Sequence, residues 1–189
     1  MKAAFIERHG GPEELRFGDL PDPVAKPGEI IVDIHAASVN AADWKVRTGE
    51  SAFVEARFPH VPGRDFSGVV SALSEGVEDF RIGDAVFAVC AVGQEGAYAE
   101  KIAINAEIAA RKAAGLGHVE AAALALTGLT ALVAIEDTLK RRAGETIFIR
   151  GGAGGVASIA IQLAKHIGGA RNQHGKRGQP HLRARPRCQ

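Results

Sequence analysis

The residues whose types and spacing most directly suggest chemistry lie at 151–157, where the sequence reads GGAGGVA. Within this run, Gly152, Gly154 and Ala157 fit the G-x-G-x-x-G/A pattern of dinucleotide-binding turns. Gly152 permits a tight turn, Gly154 lets the backbone approach a pyrophosphate, and Ala157 lets the next helix pack closely on the strand. The first N–H groups of that helix would then face the phosphates. The alternative is a tight strand-to-helix turn without a ligand.

Two elements must position this turn. Residues 146–149 predict a short buried strand. Residues 154–167 predict a helix, because apolar side chains recur there at helical spacing: Val156, Ile159, Ala160, Leu163 and Ile167. Strand, glycine turn and helix are the opening of a parallel α/β domain. The fingerprint also needs a second strand and a polar residue about 20 positions later. Residues 169–189 offer no strand-like run, and their composition predicts disorder.

The chain before residue 110 has a different pattern, with short apolar runs separated by Gly and Pro. It predicts strands at 3–6, 15–20, 30–39, 66–73, 85–89 and 97–104. A short helix is predicted over 41–47, with Asn40 as its N-cap. Residues 118–140 predict two consecutive helices, because Thr127-Gly128 interrupts an Ala- and Leu-rich run. The fold class is therefore mixed β and α/β.

Composition and charge limit the function classes. The chain has 189 residues, 46% of them hydrophobic, and a net charge of +1. Residues 169–189 carry six Lys or Arg and no Asp or Glu, which leaves a net charge of −5 on residues 1–168. A basic tail suggests a nucleic-acid or membrane arm, or a segment outside the fold. Two cysteines exclude a disulfide framework. Without a signal-peptide pattern or an uncharged apolar run of about 18 residues, we expect a cytoplasmic protein with no membrane span.

Seven stretches resemble, in order, the zinc-independent branch of the medium-chain dehydrogenase/reductase superfamily, the zeta-crystallin-like quinone oxidoreductases. They are PGE at 27–29, SVNAADWKVRTG at 38–49, VPGRDFSGVV at 61–70, FRIGDAVF at 80–87, GAYAEKI at 96–102, EAAALALTGLTA at 120–131 and GGAGGVASIAIQLAKHIG at 151–168. The resemblance implies a GroES-like substrate domain over residues 1–115 and the start of a Rossmann NADP-binding domain over 116–168, with a substrate cleft between them.

The same resemblance implies zinc-free chemistry. Zinc-dependent relatives carry a Cys where this chain has Asn40, and a His and a Glu where it has Arg64 and Asp65. Asn and Arg are poor zinc ligands, so no metal is expected. The reaction implied is direct hydride transfer from NADPH to a quinone or an α,β-unsaturated carbonyl.

Residue roles follow from the matched motifs. Asn40 is a catalytic candidate that hydrogen-bonds near the nicotinamide or the substrate carbonyl; otherwise it is a plain N-cap. Lys45, the second catalytic candidate, lines the cleft mouth with Trp44; otherwise it is a solvated charge. Asp43 matches the family and could equally be a first-turn helix acid. Thr127 contacts the cofactor near its nicotinamide end, or else caps a second helix.

The remaining cofactor-binding candidates are the glycine-turn residues Gly152, Gly154, Gly155, Val156 and Ala157. Other polar residues are interpreted as structural. Arg64 and Asp65 are interpreted as a local ion pair, Cys90 as a small core residue, and the three histidines His35, His60 and His118 as structural because their spacing is unlike that of a metal site.

The family pattern stops at Gly168. If the reading frame after Gly168 is shifted by one base, codons compatible with this sequence can be translated as VISTASAANHTFVRGLGA. That sequence predicts the end of an apolar strand, a polar loop and a helix. We therefore hypothesise a single-base insertion near codons 168–170, which the nucleotide sequence of the gene decides. Ser and Thr in the restored reading, instead of an acid, favour NADPH.

On this hypothesis, residues 169–189 are an out-of-frame tail, and about 130–150 residues of the Rossmann domain are missing. Little or no activity is then expected from this chain, the family's homodimer surface is lost, and Ile147, Ile149, Ile159 and Leu163 form an exposed apolar face. The alternative is a non-catalytic GroES-like module whose basic tail binds nucleic acid. That alternative is disfavoured because the tail has no aromatic residue to stack on bases.

Overall fold

The structure, a computed structural model, describes residues 1–94, 96–168 and 173–174. The chain divides into two compact units, Met1–Leu126 and Thr127–Gln189. The first unit is built on β-strands and the second on helices with a short parallel ladder. The mixed β and α/β class predicted from the sequence is confirmed.

The first unit contains two sheets. Strands β1 (Lys2–Phe5) and β2 (Arg16–Asp19) form an antiparallel pair. The main sheet has five antiparallel strands in the order β6-β3-β4-β5-β7, with bounds β3 Glu29–Ala37, β4 Asp65–Leu73, β5 Ala85–Val89, β6 Lys101–Asn105 and β7 Ala109–Arg111. Its buried face forms one hydrophobic core: Ile30, Val32, Phe66, Val70, Phe80, Val86, Ala88, Cys90, Ala97, Ile102 and Ile104. The interpretation of Cys90 as a core residue is thereby confirmed.

The last predicted strand of this unit differs from the structure. Residues 97–100 precede β6 and bond to β1 instead, with Ala4 N donating to Tyr98 O and Glu100 N donating to Lys2 O. Strand β7 was not predicted. Its three residues include two alanines, and such a run carries no strand signal of its own.

Helix α1 (Ala41–Thr48) begins after the N-cap residue Asn40, as predicted, and ends at Gly49. Gly49 has a φ of +80°. This left-handed conformation suits glycine best and terminates the helix.

Helix α2 (His118–Leu132) runs without a break through Thr127 and Gly128. The prediction of two helices over 118–140 is therefore wrong. Glycine in a helix interior costs only about 1 kcal/mol, and small buried side chains pack the helix on both sides of it, at Ala121, Ala125 and Ala131. The helix continues as a π-helical segment, Val133–Thr138.

Residues His118–Thr138 are long and apolar enough to cross a membrane, with a mean hydropathy of 1.7. The uncharged part of this segment, 121–135 between Glu120 and Glu136, is shorter than the uncharged run of about 18 residues expected of a span, so the expectation of no membrane span stays a prediction. Helices in the cores of soluble proteins can satisfy the same length and composition criteria. The length and composition of this helix therefore do not assign it to a membrane.

The second unit contains a β-α-β arrangement. Strand β8 (Ile149–Arg150) leads through the glycine turn into α3 (Gly155–His166), and β9 (Gln173–His174) pairs with β8 in parallel. The predicted helix is confirmed, whereas the predicted strand over 146–149 is wrong in its bounds, since it shares only Ile149 with β8. A strand in the basic tail was not predicted; its ladder is made by the main chain, which needs no apolar pattern. The disorder predicted for the rest of the tail concerns residues outside those described.

A small hydrophobic cluster supports this unit. Its buried members are Ala131, Ile135, Ala160 and Ala164. The four residues predicted to form an exposed apolar face, Ile147, Ile149, Ile159 and Leu163, are partly buried against this cluster, so that prediction is wrong. The exposed apolar side chains of the unit are others, such as Phe148, which is 63% exposed, and Leu139, which is 59% exposed.

Candidate functional site

The glycine turn connects β8 to α3 and is tightly packed against its own neighbours. Gly151 has a φ of +78°, and the turn is closed by a hydrogen bond of 2.8 Å from Gly154 N to Gly151 O. The left-handed conformation of the turn therefore lies at Gly151, which the sequence analysis did not single out, and the role of Gly152 stays a prediction. A Cβ on Gly152 would lie 3.2 Å from Ile161 Cδ1, and one on Gly154 would lie 3.3 Å from Gly151 O. Both distances are shorter than ordinary contacts.

Thr127 lies against the start of α3. A Cβ on Gly155 would be 3.0 Å from Thr127 Cγ2, so Gly155 is needed for this packing. Because Thr127 lies inside α2, it caps no second helix, and that alternative role is wrong. The structure thus brings Thr127 together with the predicted glycine turn.

The first turn of α3 offers donors to a ligand. Its first backbone bond runs from Ser158 N to Gly154 O, at 2.9 Å. The N–H groups of Gly155, Val156 and Ala157 precede that bond and have no partner within the described helix. A pyrophosphate suits such a site, since unpaired N–H groups and the helix dipole both favour an anion. The glycines are required by the packing of the turn itself, and the unpaired N–H groups that the turn leads into fit the pyrophosphate of a dinucleotide.

In the first unit, Asn40 is held by a buried carboxylate. Asn40 Nδ2 donates to Asp65 Oδ1 at 2.8 Å and to Ser38 Oγ at 3.1 Å. Ser38 Oγ donates to the same Asp65 oxygen at 2.6 Å, and Leu126 N donates to Asp65 Oδ2 at 3.1 Å. Asp65 is completely buried. Arg64 Nη2 donates to Cys90 O at 3.3 Å, and the Arg64–Asp65 ion pair interpreted from the sequence stays a prediction.

This arrangement fixes which end of the Asn40 amide is available. A carboxylate only accepts hydrogen bonds, so the nitrogen end of Asn40 must face Asp65. Both amide hydrogens are then engaged, by Asp65 and Ser38. Asn40 can offer a ligand only its Oδ1 acceptor, and it cannot polarise a substrate carbonyl by donation.

Asp43 links the first turn of α1 to Tyr98. Asp43 Oδ2 accepts from Asn40 N at 2.7 Å and from Tyr98 Oη at 2.8 Å. Asp43 is 5% exposed, and its Oδ1 is buried without a hydrogen-bond partner in the described residues. Burial raises the pKa of the Asp43 carboxyl, and burial together with the nearby Asp43 raises the pKa of the Tyr98 phenol. Asp43 is thus the first-turn acid of α1 and also an anchor for Tyr98.

Lys45 and Trp44 lie on the exposed side of α1. The Trp44 side chain is 44% exposed, and Lys45 Nζ lies 5.9 Å from the centre of its ring. Both residues are therefore accessible to solvent, which fits a cleft-mouth role and a solvated charge equally, and the cleft-mouth role stays a prediction.

The histidines form a separate structural group. The rings of His35 and His118 stack with centroids 4.5 Å apart, and His118 Nδ1 lies 2.8 Å from the buried hydroxyl of Ser67. Burial lowers the pKa of His118, and the neighbouring His35 and Lys112 lower it further. In the described residues, no group of three or more His, Cys, Asp or Glu side chains could hold a metal ion. The zinc-free expectation itself stays a prediction.

Sequence reasoning missed Ser38, Tyr98 and the anchoring role of Asp65. Ser38 and Asp65 both lie in matched motifs, so a hydroxyl and an acid near Asn40 were available as signals. Nothing local links Tyr98 to Asp43, because 55 positions separate them.

Comparison with known proteins places this site in a family. Residues 26–133 match the model of the alcohol dehydrogenase GroES-like domain. The chain belongs to this family. Its recognition as a medium-chain dehydrogenase/reductase is confirmed by relatives that are quinone oxidoreductases and enone reductases.

Individual relatives of this GroES-like chain are named oxidoreductases. It is 31% identical over 169 residues to a quinone oxidoreductase of Sus scrofa, covering 89% of this chain and 50% of the relative. It is 34% identical over 177 residues to an NADPH-dependent alkenal/one oxidoreductase, chloroplastic, of Arabidopsis thaliana, covering 90% of this chain and 46% of the relative. A mycobacterial structure complexed with NADPH superimposes with a TM-score of 0.80 at 32% identity, covering 89% of this chain and 51% of that one. The chain thus spans about half the length of these relatives.

Proposed function

We propose that this chain serves in the NADPH-dependent reduction of quinones or α,β-unsaturated carbonyls. The observation that carries the proposal is the first turn of α3, where the N–H groups of Gly155, Val156 and Ala157 have no partner within the helix. A helix N-terminus that presents such groups directly after a glycine turn suits a pyrophosphate. The named activities of the relatives support the reaction type.

The finer assignment, NADPH, rests on two relatives. One is named NADPH-dependent, and one structure is complexed with NADPH. When bound, the nicotinamide would supply a hydride to the conjugated acceptor, whose own conjugation spreads the negative charge.

The residues of the chain have separate roles in this proposal. Gly155, Val156 and Ala157 donate backbone hydrogen bonds to the pyrophosphate, while the N–H of Gly154 stays on Gly151 O, and Thr127 packs against that turn. Asn40 accepts a hydrogen bond at Oδ1 and so recognises an amide N–H or a hydroxyl. Lys45 brings its positive charge to an oxygen of the substrate. A proton from solvent completes the product.

The proposal is tested by joining residues 1–168 to the second half of the Sus scrofa relative and following oxidation of NADPH by 1,4-benzoquinone at 340 nm. We expect turnover in the joined protein and little or none in the 189-residue chain. Gly154→Val should abolish turnover, because its side chain meets Gly151 O and displaces the turn that leads into the helix N–H groups. Gly115→Val is the matched control, since no atom lies within 4 Å of a Cβ at Gly115. A joined protein that folds but never consumes NADPH contradicts the proposal.

A further inference from the structure

A groove of about 300 Å³ opens beside α1, entirely within the first unit. Its walls are mostly apolar, with Ala42, Val46 and Val54 among them. The volume is at the lower end of small-molecule sites. It suits one planar ring and excludes a large polycyclic ligand.

Phe53 forms part of this groove and is 84% exposed. Val54, the next residue, is only 9% exposed and closes the bottom of the same loop. A large aromatic side chain left in solvent at the wall of an apolar groove gains by stacking on a planar ligand.

Lys45 supplies the charge of the groove. Its ammonium makes no hydrogen bond or ion pair within residues 1–94 and 96–168, and it lies 5.9 Å from the centre of the Trp44 ring. Among the described residues of the lining, Glu50 is an exposed carboxylate and Arg64 is a second cation, whose Nη2 donates to Cys90 O at 3.3 Å. Two cations against one carboxylate leave the lining net positive, which favours an anionic group.

We propose that this groove is a substrate-selecting subsite that binds a single planar ring bearing a carboxylate, with the ring on Phe53 and the carboxylate on Lys45. This inference deepens the proposed function and rests on it: the preferred acceptors are acidic quinones or enones. The substrate oxygen that Lys45 meets is then the carboxylate, so Lys45 sets specificity and keeps its proton during reduction.

The test is binding of two aromatic ketones to the 189-residue chain without NADPH. 4-Acetylbenzoate carries the carboxylate, and 4-methylacetophenone is its neutral counterpart. Trp44 is the only tryptophan of the chain and adjoins Lys45, so its fluorescence reports binding; ligand-observed NMR gives a second readout. We expect the acid to bind about fivefold more tightly, as for one exposed ion pair, and the preference to shrink in high salt.

Variants separate the contributions of ring and charge. Lys45→Gln should remove the preference for the acid while the neutral ketone still binds, and Phe53→Ala should weaken both ligands alike. Lys26→Gln, outside the groove, is the matched control and should change neither. Equal affinities in the parent chain, or a preference that survives Lys45→Gln, overturn the inference. The binding test contains no NADPH, so a negative binding result would not contradict the proposed reductase function. In the same way, absence of reductase activity in the joined protein would not contradict a positive binding result.

Discussion

The two compact units hold their candidate functional residues by different means. In Met1–Leu126, the Asn40 side chain is fixed by directional hydrogen bonds to a fully buried carboxylate, beside a core of eleven buried residues. In the second unit, the glycine turn is shaped by close backbone approach, next to a cluster with four buried residues, three of them alanine. Orienting a side chain requires buried partners and a large core to enclose them. Presenting backbone N–H groups requires little more than an unobstructed turn.

The largest expected effect tests the core of the first unit. Phe66→Ala should lower the free energy of unfolding by about 3–5 kcal/mol, because Phe66 is fully buried and its removal leaves a cavity. Phe17→Ala, at a position 76% exposed, should change the free energy by less than about 0.5 kcal/mol. Urea unfolding followed by Trp44 fluorescence measures both. Similar losses in the two variants would show that the core does not support this unit as described.

A smaller effect tests the glycine turn. Gly155→Ala should destabilise the second unit by about 1–3 kcal/mol, because the new methyl group meets Thr127 Cγ2. Thr127→Ser removes that methyl group. In this background Gly155→Ala should instead raise the free energy of unfolding by up to about 1 kcal/mol, the helix preference for Ala over Gly. Thermal unfolding by far-UV circular dichroism measures the cycle.

Gly128→Ala is the control for this cycle. It lies inside α2, and no atom is within 4 Å of a Cβ there, so it should stabilise the helix. If Gly155→Ala is equally stabilising in the parent chain, the contact with Thr127 does not constrain the turn.

The smallest effect is a pH dependence in the first unit. Burial raises the pKa of Asp43 above its ordinary value of 3.8. A raised carboxyl pKa stabilises the folded state below pH 3.8, and this contribution is lost as the pH rises through the higher folded-state value. The stability of the parent chain relative to Asp43→Asn should therefore decrease as the pH is raised from 3 to 7. Urea midpoints at each pH measure the difference, and a difference that grows with pH would contradict the assignment.

Local patterns predicted the elements around both candidate sites. The stripe at Val156, Ile159 and Leu163 predicted α3, and Asn40 before an alanine pair predicted the start of α1. The family motifs predicted the GroES-like domain that the family model matches over 26–133. Each of these features depends on residues close together in the sequence.

The errors arose where distant contacts decide the outcome. Gly128 looked like a helix break, but buried alanines before and after it keep α2 continuous. The pairing of Asp43 with Tyr98 and the third bond of Asp65, from Leu126 N, join segments far apart in the chain. The roles of Asn40, Lys45, Thr127 and the glycine turn stay predictions, as does the frameshift near codon 168.

The π-helical segment Val133–Thr138 changes the spacing of side chains at the end of the long helix. Leu139 N donates to Ala134 O, five residues back, at 3.0 Å, whereas an α-helix bonds four residues back. The segment ends this helix, because the next helix of the described chain begins at Gly155. Side chains after Leu132 therefore leave the 3.6-residue spacing of α2, and a helical-face pattern drawn over 118–138 as one α-helix assigns them to the wrong side.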